Sequence, residues 1–516
     1  MIKGFRQIAV LTTISRIFGM IRDISFAHFF GADWLMTAWA TGFKIPNLAR
    51  RIFGEGAASA SLIPIYSEQL RNDPQQAKRL ANTAVTVIVV LLAAIVIIGE
   101  VLIWSYYIFF ETRTGPKLGL QLCSVMLPYM ICICVVAILA GILNVHKHFA
   151  TPAAAPIVLN IIIIASILFT GLVLKIEPEK QVFFVAAGVL LAGLVQIALQ
   201  IPSLRASGVS IRPAWDIYSG PFKRTILMMG PMILGLTVTQ INTLVDDIIA
   251  LTFMTESGKP LGYGSISYLY YAQRLYQFPL GVLGISLATA IFPVMSDDAA
   301  RKNFDALTKT FARGIRVAVF VAIPATAGIF LVAKPLVSAI FEHGRFERAD
   351  TQIVAWTLSF YVIGLCGYFS QQVTTRAFYS LQDSKTPAKS AVIAVGANVI
   401  LNLTLIWFLG AAGLAAATAL CSYLQVIILV RVLRKKLSYS ILDGLPVNLM
   451  KTVVSTVIMY LVGYIILIFM KNFPDNRLSN ILRLAVVVPS AAIVYILAAK
   501  LLHIEMLSLL TGRNKI

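Results

Sequence analysis

Arg16, Arg22, Asp23, Lys44, Arg50, Arg51 and Glu55, with Arg274 further along, interrupt stretches that are otherwise apolar. Each Arg or Lys near a bilayer centre opposes insertion by roughly 2.5 to 3.5 kcal/mol, so such residues must face a wet cavity, find partners or lie near an interface. Their spacing is helical. Arg16, Gly19 and Asp23 follow an i, i+3, i+7 stripe, and Lys44, Asn47, Arg51 and Glu55 follow an i, i+3, i+7, i+11 stripe. Arg51 and Glu55 are therefore predicted to pair locally, while Arg16 and Asp23, about two turns apart, each need another partner. Arg50 projects about 100° from Arg51 and has no local carboxylate. The chemistry this suits is anion recognition, because the planar guanidinium fork meets phosphate oxygens with two bonds. Arg16, Arg22 and Arg50 are expected to face the ligand, with Asp23 orienting one of them. Snorkelling toward an interface is the alternative for Arg22 and for Arg50–Arg51. Two phosphates would satisfy three or four converging arginines, and a lipid tail could stay in the bilayer while the charged head enters a two-lobed cavity. An anionic amphiphile fits these residues; they do not name it.

Further along, Tyr263, Ser267, Tyr270, Arg274 and Gln277 share one helical face, read either as the polar wall of a cavity or as an aromatic interface belt. Asp246–Asp247 and Asp383 are candidates for a cation or proton site, although Asp383 beside Lys385-Thr386-Pro387 equally suits a turn. No catalytic residue is expected. Asp297–Asp298 runs into a basic segment without a second acidic cluster or a histidine, and His146 and His148 stand alone in a short loop. No cofactor or metal is expected either: the five cysteines, Cys123, Cys132, Cys134, Cys366 and Cys421, lie in apolar runs and read as packing residues.

The elements that must carry these residues are membrane helices. Of 516 residues 58% are hydrophobic and 13% charged, and the mean hydropathy is +0.83, which no soluble core of this size could absorb. The formal charge of +20 sits mostly in short loops, so it reads as membrane topology and excludes a nucleic-acid partner. The first apolar stretch carries Arg16, Arg22 and Asp23 and lacks a cleavage site, and is expected to remain as the first helix. Spans are predicted near 7–30, 34–65, 81–110, 118–145, 151–174, 181–203, 224–254, 265–295, 311–333, 352–381, 388–409, 412–431, 449–470 and 480–502. Gly410-Ala-Ala-Gly413 marks a tight turn inside the long uncharged stretch from Ser390 to Val430. Segments such as Arg71–Arg79, Arg205–Arg224, Arg301–Arg316 and Arg431–Lys436 carry the larger share of loop Lys and Arg, which puts both termini in the cytoplasm.

A faint internal echo relates the two halves. Ile63-Pro64-Ile-Tyr-Ser67 resembles Phe292-Pro293-Val-Met-Ser296, and Thr151-Pro152-Ala153 resembles Thr386-Pro387-Ala388. The expected architecture is an all-α integral membrane protein of about fourteen transmembrane helices, arranged as two pseudo-symmetric six-helix lobes plus two C-terminal helices. An N-terminal lobe takes 1–204, a C-terminal lobe takes 205–436, and 437–516 hold the last two helices and a cytoplasmic tail.

The runs Ser15-Arg16-Ile-Phe-Gly19-Met-Ile-Arg22-Asp23 and Phe43-Lys44-Ile-Pro46-Asn47-Leu-Ala-Arg50-Arg51-Ile-Phe53-Gly-Glu55-Gly56-Ala57 resemble the N-terminal signature of the MurJ/MviN family. Further matches are Gly230-Pro231-Met-Ile-Leu-Gly235, Tyr270-Tyr271-Ala-Gln-Arg274-Leu-Tyr-Gln-Phe278-Pro279 and Phe378-Tyr379-Ser-Leu-Gln-Asp383-Ser-Lys385-Thr386-Pro387. That family comprises lipid II flippases within the multidrug, oligosaccharide-lipid and polysaccharide exporter group. The resemblance implies that Arg16, Arg22, Arg50 and Arg274 line a central cavity and carry lipid II, the undecaprenyl-diphosphate-linked disaccharide-pentapeptide, across the inner membrane by alternating access. It also implies that membrane potential or a coupling ion drives the cycle, in a monomer whose other partners are membrane lipids. Relatives often have aspartate where this chain has Thr37 and Gln273, which leaves Asp23 and Asp246 as the better acidic candidates. An exporter of another polyprenyl-linked glycan or of drugs is the alternative, but the block from Arg16 to Glu55 suits cationic drugs poorly.

Overall fold

A computed structural model describes residues 2–53, 59–109, 114–255, 257–437 and 443–510. Among the described residues every named element is a helix, as expected of a chain in hydrocarbon, where backbone N–H and C=O groups must be satisfied within their own segment. The chain divides into two compact units, Met1–Thr243 and Leu244–Ile516.

The first unit contains α1 (Ile2–Phe30), α2 (Trp34–Ala49), α3 (Ser59–Asn72), α4 (Pro74–Phe109), α5 (Thr114–Met126), α6 (Tyr129–Val145), α7 (Ala150–Leu168), α8 (Pro178–Ala206) and the start of α9 (Gly220–Thr252). Helix α1 packs on α7, α2 on α5, and α8 on both α6 and α7. Asp33 starts α2 by accepting a bond from the Leu35 N–H, satisfying one of the donors that a helix start leaves open. A Cβ at Gly42 would lie 3.0 Å from the backbone N of Cys123, so the α2–α5 approach is close because that position has no side chain.

Within the second unit are α10 (Ser265–Pro279), α11 (Ile285–Ala300), α12 (Phe304–Phe341), α13 (Arg348–Ile363), α14 (Leu365–Ser380), α15 (Lys385–Leu409), α16 (Ala411–Leu437), α17 (Leu445–Phe469), α18 (Arg477–Leu501) and α19 (Glu505–Leu510). A π-helical turn at Leu280–Gly284 joins α10 to α11 directly after Pro279, where the missing proline N–H interrupts the α-helical ladder. The Gly410-to-Gly413 segment makes the expected turn between α15 and α16. Gly410 adopts φ +59°, and a Cβ at Gly413 would fall 2.6 Å from the carbonyl of Leu405.

Nine described helical stretches are long and apolar enough to cross a membrane, or eleven when α5–α6 and α13–α14, bent by 43° and 41°, each count as one. The three remaining predicted spans coincide with α1, with α2 and α3 on either side of 54–58, and with α9, so the expected fourteen are compatible with the structure. The echoed prolines occupy matching places. Pro152 and Pro387 both sit in the first turns of α7 and α15, and Pro64 and Pro293 both lie in the middle of α3 and α11.

Helices α17 and α18 pack on α12. Tyr495 donates to the carbonyl of Phe320 at 2.6 Å, Asn480 donates to Ser338 Oγ at 2.8 Å, and Val317, Phe320, Met459, Ala491 and Tyr495 form a shared apolar cluster. In the α17–α18 connection Asp475 pairs with Lys334 of α12, Arg348 of α13 and Arg483 of α18. Burial opposes ionisation of this carboxyl, but Lys334 and Arg348 outweigh it and hold the group below its ordinary range.

Two glycines on neighbouring stretches separate close packing from mere helix propensity. Gly413→Ala should lower the thermal midpoint of the detergent-solubilised protein, by roughly 1–3 kcal/mol of overpacking. Gly396→Ala, with open space around its Cβ, should be neutral or slightly stabilising in the same scan.

Candidate functional site

The charges in α1 are held by α7. Arg22 donates to Asp23 Oδ1 through Nε at 3.0 Å and Nη2 at 2.8 Å, and through Nη1 to Asn160 Oδ1 at 2.9 Å. Asn160 turns its own Nδ2 to the carbonyl of Ser15 at 3.3 Å. The side chains of Arg22 and Asp23 are 12% and 4% exposed, so this is a largely desolvated ion pair whose spare donor is taken by an amide. Such a pair holds its geometry through the hydrogen bonds around it. The guanidinium also lies 6.0 Å from the centre of the Phe26 ring. Arg16, one stripe position away from Gly19, is exposed and makes no bond to any described residue.

Lys44 and Arg50 are half-buried in and at the end of α2, and Arg51 is exposed. Pro46 lies inside α2, and the backbone passes into a π-helical turn over residues 50–53. Arg50 Nε donates to Asn47 Oδ1 at 3.0 Å, and Arg51 Nη1 donates to Gln240 Oε1 at 3.1 Å. Glu55, the expected partner of Arg51, lies outside the described residues.

Arg274 is half-buried in α10. Its Nη2 donates to Tyr270 Oη at 3.1 Å, and its guanidinium lies 4.6 Å from the centre of that ring. The predicted polar face is thus partly realised. Tyr270 and Arg274 meet one turn apart, Gln277 is exposed, Ser267 is buried and donates to the Gly264 carbonyl at 2.7 Å, and Tyr263 precedes the helix. Stacked Tyr276, Tyr361 and Tyr368 anchor α10 to α13 and α14, with ring centres 4.8 and 5.4 Å apart, and Gln273 donates to Tyr361 Oη at 2.9 Å.

Asp246 and Asp383 do different things. Asn402 of α15 donates to Asp246 Oδ1 at 2.6 Å and to Asn398 Oδ1 at 2.8 Å, and both asparagines are fully buried. Asp383 sits in the α14–α15 turn. It accepts from Thr386 N at 3.0 Å and Thr386 Oγ1 at 2.6 Å and pairs with Lys436, while its own N–H returns to the Phe378 carbonyl across Gln382 at φ +57°. Burial disfavours its charge, but the Lys436 and Thr386 bonds outweigh burial and hold the carboxyl down at about 2. It is therefore ionised across the physiological range and does turn chemistry. Asn402 lies 17 residues beyond Lys385, roughly 26 Å along α15, so the two aspartates do not share one cation.

With this geometry in place, the comparisons decide the family. The family model described as "Lipid II flippase MurJ" matches residues 26–502. The chain belongs to the MurJ family of lipid II flippases. A probable lipid II flippase MurJ of Vibrio cholerae is 33% identical over 437 residues, covering 82% of this chain and 81% of that protein. The Buchnera aphidicola relative from Acyrthosiphon pisum is 28% identical and covers 98% of both chains. Among solved structures, a MurJ flippase in an inward closed conformation superposes with a TM-score of 0.79 at 24% identity, over 97% of this chain and 99% of that one. An inward-facing multidrug transporter of the MATE family gives 0.65 at 14% identity, over 82% and 94%. Both likenesses establish the fold.

Asn160, Asn398 and Asn402 are the site residues that spacing along the chain did not single out. The available signal was their type: buried asparagine in an apolar span is a hydrogen-bonding group that needs a partner. Two substitutions separate the roles assigned here. Asn160→Ala leaves the Arg22 guanidinium short of one buried bond and should lower stability by about 1.5–3 kcal/mol, read as a fall in thermal midpoint. Asp383→Ala removes a cap worth about 1 kcal/mol. The Asp383 carboxylate is depressed from 3.8, so its contribution is complete above that value and is lost only as pH falls through about 2. The wild-type and Asp383→Ala melting curves should differ by a constant amount from neutral pH down to pH values near 4.

Proposed function

We propose that the protein flips lipid II, the undecaprenyl-diphosphate-linked precursor of peptidoglycan, from the cytoplasmic to the outer face of the bacterial inner membrane by alternating access. The match to the flippase family over residues 26–502 carries this reading, and curated relatives named for the same activity align along almost the whole chain. The multi-pass helical fold fits a protein of that membrane. The loop charges favour cytoplasmic termini, and the working unit is read as a monomer.

In this reading Arg16, Arg22, Arg50 and Arg274 bind the diphosphate, with Lys44, Arg51 and Glu55 in the same polar group. Asp23 acts as a positioning residue: it holds Arg22 through Nε and Nη2 and fixes the plane of the fork before a ligand arrives. Guanidinium suits the task because it keeps its charge when partly desolvated and presents paired donors to phosphate oxygens. The tail needs no protein cavity, since it stays in the solvent it prefers.

A coupling-ion site at Asp246 fits the same scheme. Asn402 Nδ2 bridges the Asp246 carboxylate and Asn398 Oδ1, and the buried Asn402 oxygen accepts no hydrogen bond. A carboxylate beside buried side-chain amides can take up a hard cation through oxygen or a proton.

Charge-neutral replacement of Arg16, Arg22, Arg50 or Arg274 should abolish complementation of a flippase-depleted strain while the protein still inserts, with precursor accumulating on the cytoplasmic face. Full complementation by all four single variants would refute the assignment, and unchanged precursor with altered drug tolerance would favour a drug exporter. Asp246→Asn should remove the dependence of flipping in vesicles on an imposed ion gradient; a retained dependence would exclude Asp246 as the coupling site.

A further inference from the structure

The connection between α8 and α9 is fastened along α4. Gly208, at φ +71°, follows the end of α8, and the N–H of Val209 returns to the Leu204 carbonyl at 2.9 Å while its side chain is buried. From Val209 to Asp216 the chain has no regular structure, yet its backbone donors are used in alternation. Arg212 N–H donates to Asn82 Oδ1 at 3.2 Å, Ala214 N–H to Thr86 Oγ1 at 3.1 Å and Asp216 N–H to Thr83 Oγ1 at 3.3 Å. Pro213, which has no N–H to offer, falls between them. Asn82, Thr83 and Thr86 share one face of α4, and Thr83 is fully buried. The segment is thus a packed part of its unit and not a loose loop.

Two helices fix its depth. On α4 the three acceptors stand just past Lys78 and Arg79, where an uncharged run begins that continues to Gly99. Val90 and Leu91, about one turn beyond Thr86, are exposed apolar residues. On α9, Lys223 and Arg224 are followed closely by exposed Ile226, Leu227 and Met228. Both registers put the segment at the boundary between headgroups and hydrocarbon. What it presents there is aromatic and basic. Trp215 is 60% and Tyr218 80% exposed, Ile211 and Arg212 are exposed, and Lys223 Nζ lies 5.6 Å from the centre of the Tyr218 ring. Arg224 is engaged by Glu68 at 2.9 Å, but Arg205, Arg212 and Lys223 outnumber Asp216, the acid of this segment. An indole or phenol at this level buries its ring in apolar surroundings and keeps its N–H or O–H among polar groups, while neighbouring cations meet lipid phosphates.

We propose that residues 209–219 form an interfacial strap whose partner is the phospholipid headgroup layer. Trp215 and Tyr218 enter that layer, and Arg212 and Lys223 reach its phosphates. The strap is held from two sides, by α4 along its backbone and by lipid along its exposed side chains, so the chain enters α9 from a fixed depth. This anchoring is separate from cargo binding and involves none of the arginines assigned to the diphosphate.

Trp215 can report on it. The full-length protein is reconstituted in phosphatidylethanolamine/phosphatidylglycerol vesicles containing phosphatidylcholine brominated near either the carboxyl end or the methyl end of its chains. The emission lost in Trp215→Phe is taken as the Trp215 signal. That signal should be blue-shifted from an indole in water, be quenched more by bromine near the carboxyl end, and resist acrylamide added to the aqueous phase. Arg212→Glu combined with Lys223→Glu, which reverses two exposed charges, should reduce the lipid quenching and admit acrylamide. Quenching by acrylamide but not by brominated lipid would put the segment in water, and protection from both would mean that protein covers it. Either result, or a lipid profile unmoved by charge reversal, would overturn the proposal.

Discussion

A charge surrounded by hydrocarbon must be answered by another polar group, and that requirement organises this protein. The Arg22 guanidinium is answered on its own helix by Asp23 and from α7 by Asn160. The Asp246 carboxylate of α9 is answered from α15 by Asn402, which Asn398 supports in turn. In each unit a charged side chain is thus bonded to an asparagine, Arg22 to Asn160 of α7 and Asp246 to Asn402 of α15, and both of those helices carry Thr-Pro-Ala in their first turn. Asparagine fits because its amide can donate and accept at once without introducing a further charge to be neutralised.

What could be read from the sequence follows from the range of the forces involved. Hydropathy runs reveal spans because insertion depends on each segment's own composition, and the turn at Gly410 to Gly413 is legible because a backbone constraint is written in residue type. The arginines were legible as anomalies for the same reason. Their partners were not: Asn160 is 138 residues from Arg22, and helical spacing reports only what lies on one face of one helix. Asp23 shows the limit within a single helix. The stripe relates it to Arg16, yet its bond is to the adjacent Arg22, because a long guanidinium side chain can curl back along the surface and adjacent residues need not point apart at their tips.

Asp383 and Asp475 show what carboxylates do when they lie beyond the apolar zone. Asp383 is held ionised by Lys436 and the Thr386 bonds, and Asp475 by cations from separate helices. The structural consequence is fastening: Asp383 joins the end of α16 to the α14–α15 turn, and Asp475 joins α18 to α12 and α13. The two C-terminal helices are therefore tied to their unit at the α17–α18 connection by charge and along α12 by apolar packing and the Tyr495 bond. Energetically they belong to the same unit as α12 and α13.

Membrane-embedded arginines held in this way favour function over stability. An apolar residue at position 22 would remove the need for Asp23 and Asn160 and would insert with less opposition, and replacing buried ion pairs by apolar packing is often neutral or stabilising. The retained arrangement makes sense if the guanidinium plane has to be set in advance, because a diphosphate then meets donors that need little rearrangement and the ordering is done before binding. A lysine could supply the charge but not the plane, since its ammonium rotates freely on a flexible stem. The two hydrogen bonds from Arg22 to Asp23 Oδ1 and the one to Asn160 Oδ1 fix three of the fork's donors in two directions. That geometry sets the orientation of the guanidinium plane through one carboxylate and one neutral amide, neither of which adds positive charge.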